Sequence, residues 1–334
     1  MKKKLNICVV YNLKDKSKPD DSQEEYDEIE TIEGLKEEIE KNGFSVSLLE
    51  QDHDFLKKMN EIAPDFVFNI AEGKGATRSR ESQVPCMLES LNIPYSGSDP
   101  VALGITLDKY MTNIVLKAAG IPVPDAFMAR NTMEIKPLRD IFEGNGAFII
   151  KPRWEGSSKG IFSDSLVGDF EALERKAEKL FTFYSQPVII EEFLEKDEIT
   201  AGVYGNSEPR ILGMMKIVPR EKESSFFIYS IENKRDWERK IKYESAESIP
   251  LETQAMIKEY AARAFRALEL RDVARIDFRL DKNSIPKIID INPLPGLSPR
   301  YSDLIIMYRL GGGEYPSLIN KILTAALTRN GFEL

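Results

Sequence analysis

Three oxygen-bearing side chains near the end of the chain could hold a divalent cation. Asp277 lies in the predicted strand Ala274–Leu280, and Asp290 and Asn292 lie two positions apart at the end of the next predicted strand, Lys287–Ile291. On a β-strand, residues two positions apart point to the same face. A hairpin between the two segments would place Asp277 beside them. Carboxylate and amide oxygens suit Mg²⁺ carried with a nucleotide, although a polar surface turn would give the same pattern.

A second candidate is a lysine followed by a small flexible turn. Lys151 ends the apolar run Phe148–Pro152, and the turn Glu155–Gly160 contains two glycines and two serines. The backbone N–H groups of such a turn can close over phosphate groups, and a lysine beside them supplies positive charge. Taken alone, these residues are equally typical of an ordinary surface turn.

A third segment could bind the base and the ribose of a nucleotide. Val188–Leu194 is predicted as a strand, and it contains Glu191 and Phe193 near its end. Its backbone and the Phe193 side chain could hold a base, and Glu198 could accept hydrogen bonds from ribose hydroxyls. By itself the segment is more typical of a charged strand end.

These segments need a framework, and the first third of the chain predicts a parallel α/β unit. Leu5–Tyr11, Phe44–Leu48 and Phe66–Ile70 are predicted as strands, and apolar residues at helical spacing run from Tyr26 to Ile39. Strand, helix, strand in this order is typical of a parallel sheet. No Gly-x-Gly-x-x-Gly follows the first strand, so a Rossmann dinucleotide site is not predicted.

The rest of the chain predicts α+β units. A helix over Phe170–Leu180 lies between two predicted strands, and a helix over Thr253–Leu270 precedes the two metal-site strands. Between Arg220 and Ser248 charged residues dominate, with aromatic residues among them. Because those aromatic side chains need something to pack on, we expect an ordered loop or lid there.

Composition narrows the class of protein. The chain has 334 residues and a net charge of −9, which predicts two or three domains and argues against nucleic acid or an anionic membrane as the main partner. One histidine and two cysteines do not favour a zinc site or a histidine-dependent triad. Since no apolar run approaches the ~18 residues of a transmembrane helix and the N-terminal run is too short for a signal peptide, we expect a cytoplasmic protein.

Taken together and in order, these segments resemble the ATP-grasp enzymes of the D-alanine–D-alanine ligase family. The resemblance covers nearly the whole chain and rests on five stretches: Ile93–Ser98, Leu107–Lys109, Glu155–Ser158, Ala274–Asp277 and Asp290–Gly296. It implies a three-domain fold of α/β and α+β type. An N-terminal parallel α/β domain would span 1–103, a central ATP-grasp subdomain 104–187, and a C-terminal ATP-grasp subdomain with the metal site and the lid 188–334.

The resemblance also implies a role for each matching residue. The predicted contacts with ATP are Lys109, Lys151, Gly156, Ser157, Ser158, Glu191, Phe193, Leu194 and Glu198. Two Mg²⁺ ions, or Mn²⁺ in their place, would bind to Asp277, Asp290 and Asn292. The predicted catalytic residues are Arg275, Lys234, Ser157 and Gly296. Arg275 and the backbone near Gly296 would stabilise an oxyanion, and Lys234 would reach the transferred phosphate from the lid.

The chemistry that these groups suit is ATP-dependent joining of a carboxylate to an amine through an acyl phosphate, which forms a peptide bond. A D-alanine–D-alanine ligase that serves peptidoglycan synthesis is the first hypothesis. The family implies small-molecule amino-acid or carboxylate partners, and it tends to form homodimers. An ATP-grasp ligase for a different amino acid or carboxylate, and a non-catalytic nucleotide-binding regulator, are the alternatives.

The chain departs from the family pattern at the amino-acid pockets. The family's glycine-rich loop with a histidine is replaced by Asn69–Gly73, which Arg80 and Glu81 follow, and the lid tyrosine is Arg235. The predicted substrate residues are Glu25, Arg80, Arg300 and Ser302. An acidic residue at position 24 or 25 would hold the first amine, and Arg300 or Ser302 would hold the second carboxylate. The ATP residues match the family, whereas the substrate pair stays open.

Overall fold

Three β-sheets organise the part of the chain that the computed structural model describes, residues 4–17, 21–142, 146–221 and 226–333. Along the chain, the first sheet has three strands, the second has four and the third has five. Within these same residues no helix is both long enough and apolar enough to cross a membrane.

The N-terminal sheet is parallel, which confirms the prediction from the strand–helix–strand order. Its elements are β1 (Asn6–Tyr11), α1 (Ile29–Lys41), β2 (Ser45–Glu50), α2 (Phe55–Ile62), β3 (Phe66–Asn69), α3 (Gln83–Ser90) and α4 (Pro100–Leu107). The strands pair in the order β2-β1-β3. Ile7 and Val9 of β1 enter one core cluster, and Cys8 and Val10 enter another. Both faces of the strand are buried, which explains its unbroken apolar sequence.

The second sheet is antiparallel and carries one long helix. Its part of the chain contains α5 (Lys109–Ala118), β4 (Ala126–Ala129), α6 (Thr132–Ile135), α7 (Arg139–Phe142), β5 (Phe148–Pro152), β6 (Leu166–Val167), α8 (Phe170–Tyr184) and β7 (Val188–Glu192). The strand order is β4-β7-β5-β6. Asp169 caps α8 by accepting a hydrogen bond from the Ala172 N–H, and the helix buries Leu173 and Leu180 against the sheet.

The third and largest sheet is also antiparallel. Its part of the chain contains β8 (Glu198–Gly205), β9 (Arg210–Pro219), α9 (Ile231–Arg235), α10 (Trp237–Lys240), β10 (Ile241–Ser245), α11 (Leu251–Ala267), β11 (Asp272–Leu280), β12 (Pro286–Asn292), α12 (Asp303–Leu310) and α13 (Tyr315–Arg329). The strand order is β10-β9-β8-β11-β12. Phe265 of α11 packs on one face, and Met307 of α12 and Leu318 of α13 pack on the other.

The prediction of a loop or lid between Arg220 and Ser248 is correct only in part. Residues 222–225 lie outside the described residues. Beyond them the chain forms α9 and α10, and then β10 joins the large sheet beside β9. The alternation of Ile241 and Tyr243 is the strand signal, but the charged residues between and around them obscure it in the sequence.

Candidate active site

Two buried lysines are fixed at the place where the second sheet faces the large sheet. Lys109 begins α5, and the residue before it, Asp108, is the helix N-cap. Asp108 is fully buried and accepts two 2.7 Å hydrogen bonds from the Arg153 guanidinium, just beyond β5. This ion pair holds the start of α5 against the strand that carries Lys151. Both ammonium groups face β12, since Lys109 lies 3.1 Å from Asp290 and Lys151 lies 3.3 Å from a carbonyl of that strand.

The charge on Lys151 is stabilised by neighbouring carboxylates. Burial lowers the pKa of Lys151, but Glu191 at 2.8 Å, together with Asp290, more than offsets this, so the pKa is raised. Asn113 donates a 3.2 Å hydrogen bond to the same Glu191 carboxylate and orients it. A cation that stays charged in a site sheltered from water can bind phosphate oxygens strongly.

The glycine–serine turn has the backbone geometry of a strained, functional loop. Ser157 and Ser158 have φ values of +49° and +59°, in the left-handed region that serine rarely adopts. At Gly160, with φ of +76°, a Cβ atom would lie 2.4 Å from the Pro152 ring, so a glycine is needed there. The hydroxyl of Ser158 donates a 3.2 Å hydrogen bond to the Tyr229 carbonyl, which joins the turn to the segment before α9.

The three predicted metal ligands come together on paired strands. Asp277 of β11 is the register partner of Asp290 of β12, and Asn292 donates a 3.2 Å hydrogen bond from Nδ2 to Asp277. Arg275 binds Asp277 at 3.0 and 2.9 Å. Burial raises the pKa of Asp290, but the positive charges of Lys109 and Lys151 lower it by more, so the carboxylate stays ionised. Two carboxylates and an amide oxygen, with no nitrogen or sulfur ligand, fit Mg²⁺, and these three residues would hold it.

A cavity of about 90 Å³ between β7 and the large sheet collects most of the predicted ATP contacts. Those on its wall are Lys109, Lys151, Ser157, Ser158, Glu191, Phe193, Leu194 and Glu198. The Arg279 guanidinium lies 4.5 Å above the Phe193 ring and 3.1 Å from Glu198. Burial raises the pKa of Glu198 to about 7, against the lowering effect of Arg279. An aromatic wall beside a carboxylate suits a nucleotide base next to a ribose.

Lys234 reaches the site from the short helix α9. Ser230 caps that helix through its side chain, and the Lys234 ammonium lies 5.7 Å from the centre of the Tyr229 ring. Burial and the positive charge of Arg275 lower the pKa of Lys234. Asp303, Asp277 and Asp290 oppose this shift without cancelling it, and a phosphoryl group would add further negative charge beside the ammonium.

A larger cavity of about 510 Å³ adjoins the smaller one. The residues that line both are Lys109, Ser157, Tyr229, Lys234, Arg275, Asp290 and Asp303. Gly156, Asn292, Gly296 and Ser302 line only the larger cavity. A ligand in each cavity would therefore meet the other at a junction rich in cations and carboxylates, and the predicted catalytic residues Arg275, Lys234 and Ser157 lie there.

Glu25 lines the larger cavity, but its carboxylate is already paired. It accepts hydrogen bonds from Arg80 at 2.6 Å, from Lys159 at 2.7 Å and from the Gly156 N–H at 2.9 Å. Burial raises the pKa of Glu25, but the two cations outweigh burial and hold it at about 2. Glu155 completes the network through ion pairs with Lys159 and, at 3.6 Å, with Arg80. Two cations and two carboxylates thus balance one another.

The other predicted substrate residues fall in different places. Arg80 is 2% exposed and is held in the network just described, so it does not line either cavity. Arg300 is exposed and also lies off both walls. Ser302 does line the larger cavity, where its Oγ accepts a 2.8 Å hydrogen bond from the Ser298 N–H. A Cβ atom at Gly296 would lie 2.9 Å from that Oγ. The substrate roles of these residues stay predictions.

Several acidic residues that line the larger cavity were not among the predicted site residues, and Asp303, Glu72 and Glu81 are three of them. Asp303 begins α12, lies 3.5 Å from Arg275 and accepts a 3.3 Å hydrogen bond from the Tyr229 hydroxyl. A carboxylate in the first turn of a helix is common, so spacing alone does not single it out. Glu72 and Glu81 do carry a signal, because they occupy the loop in which the family pattern has a histidine.

Comparisons with known proteins agree with this architecture. The family model described as D-ala D-ala ligase C-terminus matches residues 115–324. The D-alanine–D-alanine ligase of Moorella thermoacetica is 31% identical over 292 residues, which cover 85% of this chain and 89% of that protein. The uncharacterized protein y4sG of Sinorhizobium fredii is 30% identical over 306 residues, covering 87% and 85% of the two chains.

Solved structures share the fold over nearly the whole chain. The crystal structure of D-alanine–D-alanine ligase from Bacillus anthracis complexed with ATP superposes with a TM-score of 0.75 at 23% identity and covers 98% of both chains. The VanG D-Ala:D-Ser ligase from Enterococcus faecalis gives a TM-score of 0.75 at 18% identity and covers 97% of this chain and 100% of that one.

Two antiparallel sheets that enclose a cavity of lysines and carboxylates, behind a parallel α/β unit, define the ATP-grasp class of ligases. Within that class the chain belongs to the D-alanine–D-alanine ligase family, as the family model and the relative from Moorella thermoacetica show. The family and the fold class predicted from the sequence are both confirmed.

Proposed function

We propose that this protein is an ATP- and Mg²⁺-dependent ligase that joins two D-alanine molecules through an acyl phosphate. The observation that carries the proposal is the junction of the two cavities, where Lys109, Lys234, Arg275 and Asp290 line both. The smaller cavity is lined by residues that suit a nucleotide, and the larger cavity has room for small polar substrates. Relatives of this family that are named D-alanine–D-alanine ligase support the choice of substrate.

In the first step an oxygen of the donor carboxylate bonds to the γ-phosphorus of ATP, and the bond from that phosphorus to the β-phosphate oxygen breaks. ADP leaves, and an acyl phosphate remains. Lys109 and Lys151 would hold the phosphates, because both line the smaller cavity, and Lys234 would follow the transferred group, because it lines the junction. Mg²⁺, when bound to Asp277, Asp290 and Asn292, supplies charge neutralisation at the phosphoryl oxygens.

In the second step the amine of the other substrate attacks the acyl carbon. A C–N bond forms as the C–O bond to the phosphate breaks, and the proton that the amine loses leaves with the phosphate. The tetrahedral oxyanion would lie against Arg275 and the backbone N–H groups near Gly296. The turn Gly156–Ser158 and the helix α9 would cover the acyl phosphate and exclude water. Because the reaction consumes ATP, we also propose a cytoplasmic location. From the family we further propose that the dipeptide product is used for peptidoglycan.

The test is phosphate release from Mg-ATP with single and paired amino acids, with products identified by mass. D-alanine alone should give ADP, phosphate and the dipeptide in equal amounts. A protein that binds ATP but releases no ADP with any amine would be a nucleotide-binding regulator, and the proposal would then be wrong.

A ligase for a different pair of substrates is the second candidate. The observation that favours it is the larger cavity, which is lined by Glu72 of the loop that replaces the family's histidine loop and by Arg235 in place of the family's tyrosine. In the same screen, silence with D-alanine but turnover with another pair would support this candidate and leave the phosphoryl chemistry unchanged.

A further inference from the structure

Arg279 lines the smaller cavity, and the steps described above give it no role. It lies on β11, is only 5% exposed and has Glu198 of β8 as its register partner. Its guanidinium covers the Phe193 ring, as described above. A cation buried this deeply needs negative charge or acceptor oxygens around it. The partners of its three nitrogen atoms therefore indicate its role.

The three nitrogen atoms of the guanidinium differ in their partners. Nη1 donates a 3.1 Å hydrogen bond to the Glu198 carboxylate, and Nη2 donates a 2.5 Å hydrogen bond to the Phe227 carbonyl. Among the residues that the structure describes, Nε is buried and has no hydrogen-bond partner. A buried N–H group without an acceptor costs free energy, so a ligand in the cavity that offers an oxygen to Nε would be stabilised.

The Phe227 carbonyl belongs to the segment that leads into the lid helix α9. The next carbonyl, that of Ile228, accepts 2.8 Å hydrogen bonds from the Ser230 N–H and from the Asn233 side chain. Ser230 is the N-cap of α9, and Asn233 lies on the same helix as Lys234. The position of Phe227 and the position of the Lys234 ammonium are therefore linked by short-range contacts.

We propose that Arg279 couples the nucleotide to the lid, because its Nε donates a hydrogen bond to a ribose oxygen while its Nη2 holds the Phe227 carbonyl. This inference rests on the proposed function, since it takes the adenine nucleotide as the ligand of the smaller cavity. The guanidinium is planar and rigid, so a ribose that fixes one of its edges also fixes the other. Bound nucleotide thereby orders α9 and positions Lys234.

The rigid shape of the guanidinium, and not its charge alone, carries the coupling. A lysine at position 279 would keep a positive charge beside Glu198, but its single ammonium has no second edge to hold the Phe227 carbonyl at the same time. Arg279→Lys therefore separates the charge from the coupling. By linkage, a nucleotide that orders the lid is itself bound more tightly when the lid is ordered.

Hydrogen–deuterium exchange of the full chain measures the order of the lid without turnover. The amides of residues 226–235 are followed at saturating Mg-ADP, and 2′,3′-dideoxy-ADP, which lacks both ribose hydroxyls, is the comparison nucleotide. In the wild-type protein ADP should slow exchange roughly 10- to 100-fold more than the dideoxy nucleotide does, the effect of losing a hydrogen bond to a charged group. In Arg279→Met and Arg279→Lys this difference should disappear. Arg210→Met, at an exposed position of β9, is the matched control and should keep it.

Two results would overturn the proposal. Equal protection of the wild-type lid by the two nucleotides would show that the ribose does not act on the lid. A difference that persists in Arg279→Met but is lost in Phe226→Ala would assign the coupling to the aromatic contact of Phe226 with Phe193, whose ring centres lie 5.4 Å apart. Calorimetric binding of ADP verifies that each variant is folded, and Arg279→Lys provides the test if Arg279→Met does not fold.

Failure of the proposed function would look different. ADP release that depends on an amine tests that function on the wild-type protein, independently of the exchange measurement. A protein that releases ADP in this way, but whose lid is equally protected by both nucleotides, overturns the inference alone. A protein in which Arg279 couples ADP to the lid, but which releases no ADP from ATP with any amine, overturns the ligase proposal alone.

Discussion

At the scale of single residues, Asp290 has the largest number of roles at the junction of the cavities. It pairs with Lys109 at 3.1 Å, its charge helps to keep Lys151 protonated, and it faces Asp277 across the β11–β12 ladder. Its removal would take away a metal ligand and leave two lysines without their common counter-charge. The backbone ladder would remain, because its hydrogen bonds do not involve the side chain.

We therefore expect Asp290→Ala to lower kcat by about 100-fold or more, since a lost metal ligand weakens charge stabilisation in the transition state. ADP release at saturating Mg-ATP measures the rate, and far-UV circular dichroism checks the fold. Lys282→Ala, an exposed change in the turn of the same hairpin, is the control and should have no effect. A near-normal rate in Asp290→Ala would mean that the metal binds elsewhere.

Lys234 should separate catalysis from nucleotide binding. Its pKa is lowered by burial and by Arg275, so it interacts best when a phosphoryl group adds negative charge. Lys234→Ala should lower kcat by about 10²- to 10³-fold, the effect of losing one preorganised donor to a transition state. It should change the affinity for ATP by much less. Lys240→Ala, on the adjacent helix α10 and exposed, is the control. Equal losses in kcat and in ATP affinity would contradict a role specific to transfer.

The sequence predicts some of these residues better than others, for physical reasons. Asp290 and Asn292 are recognisable because the period of a strand places both on one face, and the structure pairs them with Asp277. Glu25 pairs with Arg80, which lies 55 positions further along the chain, and with Lys159, which lies 134 positions further along. No local pattern records such contacts, so the prediction of Glu25 as the amine ligand could not take them into account.

At the scale of elements, α9 is attached to two other parts of the molecule. Arg235 at its end donates hydrogen bonds of 3.0 and 2.6 Å to Glu24, and the segment before it accepts the hydrogen bond from Ser158. The Arg235–Glu24 pair is half exposed on the arginine side. It therefore contributes only the roughly 0.2–1 kcal/mol of a surface ion pair, enough to bias the position of the lid.

Arg235→Ala should thus raise the ratio of phosphate released to dipeptide formed, by at most about fivefold for a pair of this strength. The reason is that a lid that opens more often admits water to the acyl phosphate. Phosphate and dipeptide are measured in the same reaction. Arg239→Ala on α10, exposed and without an ion pair among the contacts of the described residues, is the control. An unchanged ratio would show that this ion pair does not hold the lid.

Among the elements, some were predicted from their pattern and others were not; α13 was missed although its buried residues are at helical spacing. Phe148–Pro152 has the same bounds in prediction and structure. The strand β8 was not predicted, because Thr200, Ala201 and Gly202 are small residues buried on both sides of the sheet and do not alternate in polarity. Its neighbours in the sheet, and not its own sequence, make it a strand.

At the scale of the whole molecule, the sheets suggest where the domains divide. The predicted boundary at 187/188 would separate β7 from β4 and β5, to which it is hydrogen-bonded. The predicted boundary at 103/104 lies inside α4. We propose boundaries just after β7 and just before α4 instead, so that each sheet stays whole. The homodimer expected from the family stays a prediction.

The acidic groups of the larger cavity should also set the pH dependence of stability. Burial raises the pKa of Asp27 to about 7 and of Glu81 to about 8, and it raises the pKa of Glu72 as well. Between pH 5 and 8 the folded protein keeps protons that the unfolded chain has already lost. Stability therefore falls as pH rises through this range. Glu25 has the opposite sign, but its pKa of about 2 confines its effect to acid below the range.

Urea denaturation of the ligand-free protein at pH 6 and pH 8.5 should show a lower free energy of unfolding at the higher pH. Each titrating group contributes at most about 1.4 kcal/mol per pH unit. The double variant Glu72→Gln, Glu81→Gln removes two of these groups and leaves Asp27 and Glu198, whose pKa is about 7, to titrate in both proteins. Its loss between the two pH values should therefore be smaller. If wild type and double variant lose the same amount, other groups dominate, and the two glutamates are not buried in the protonated form. That outcome would imply that water or a counter-ion reaches the two glutamates and stabilises their ionised form.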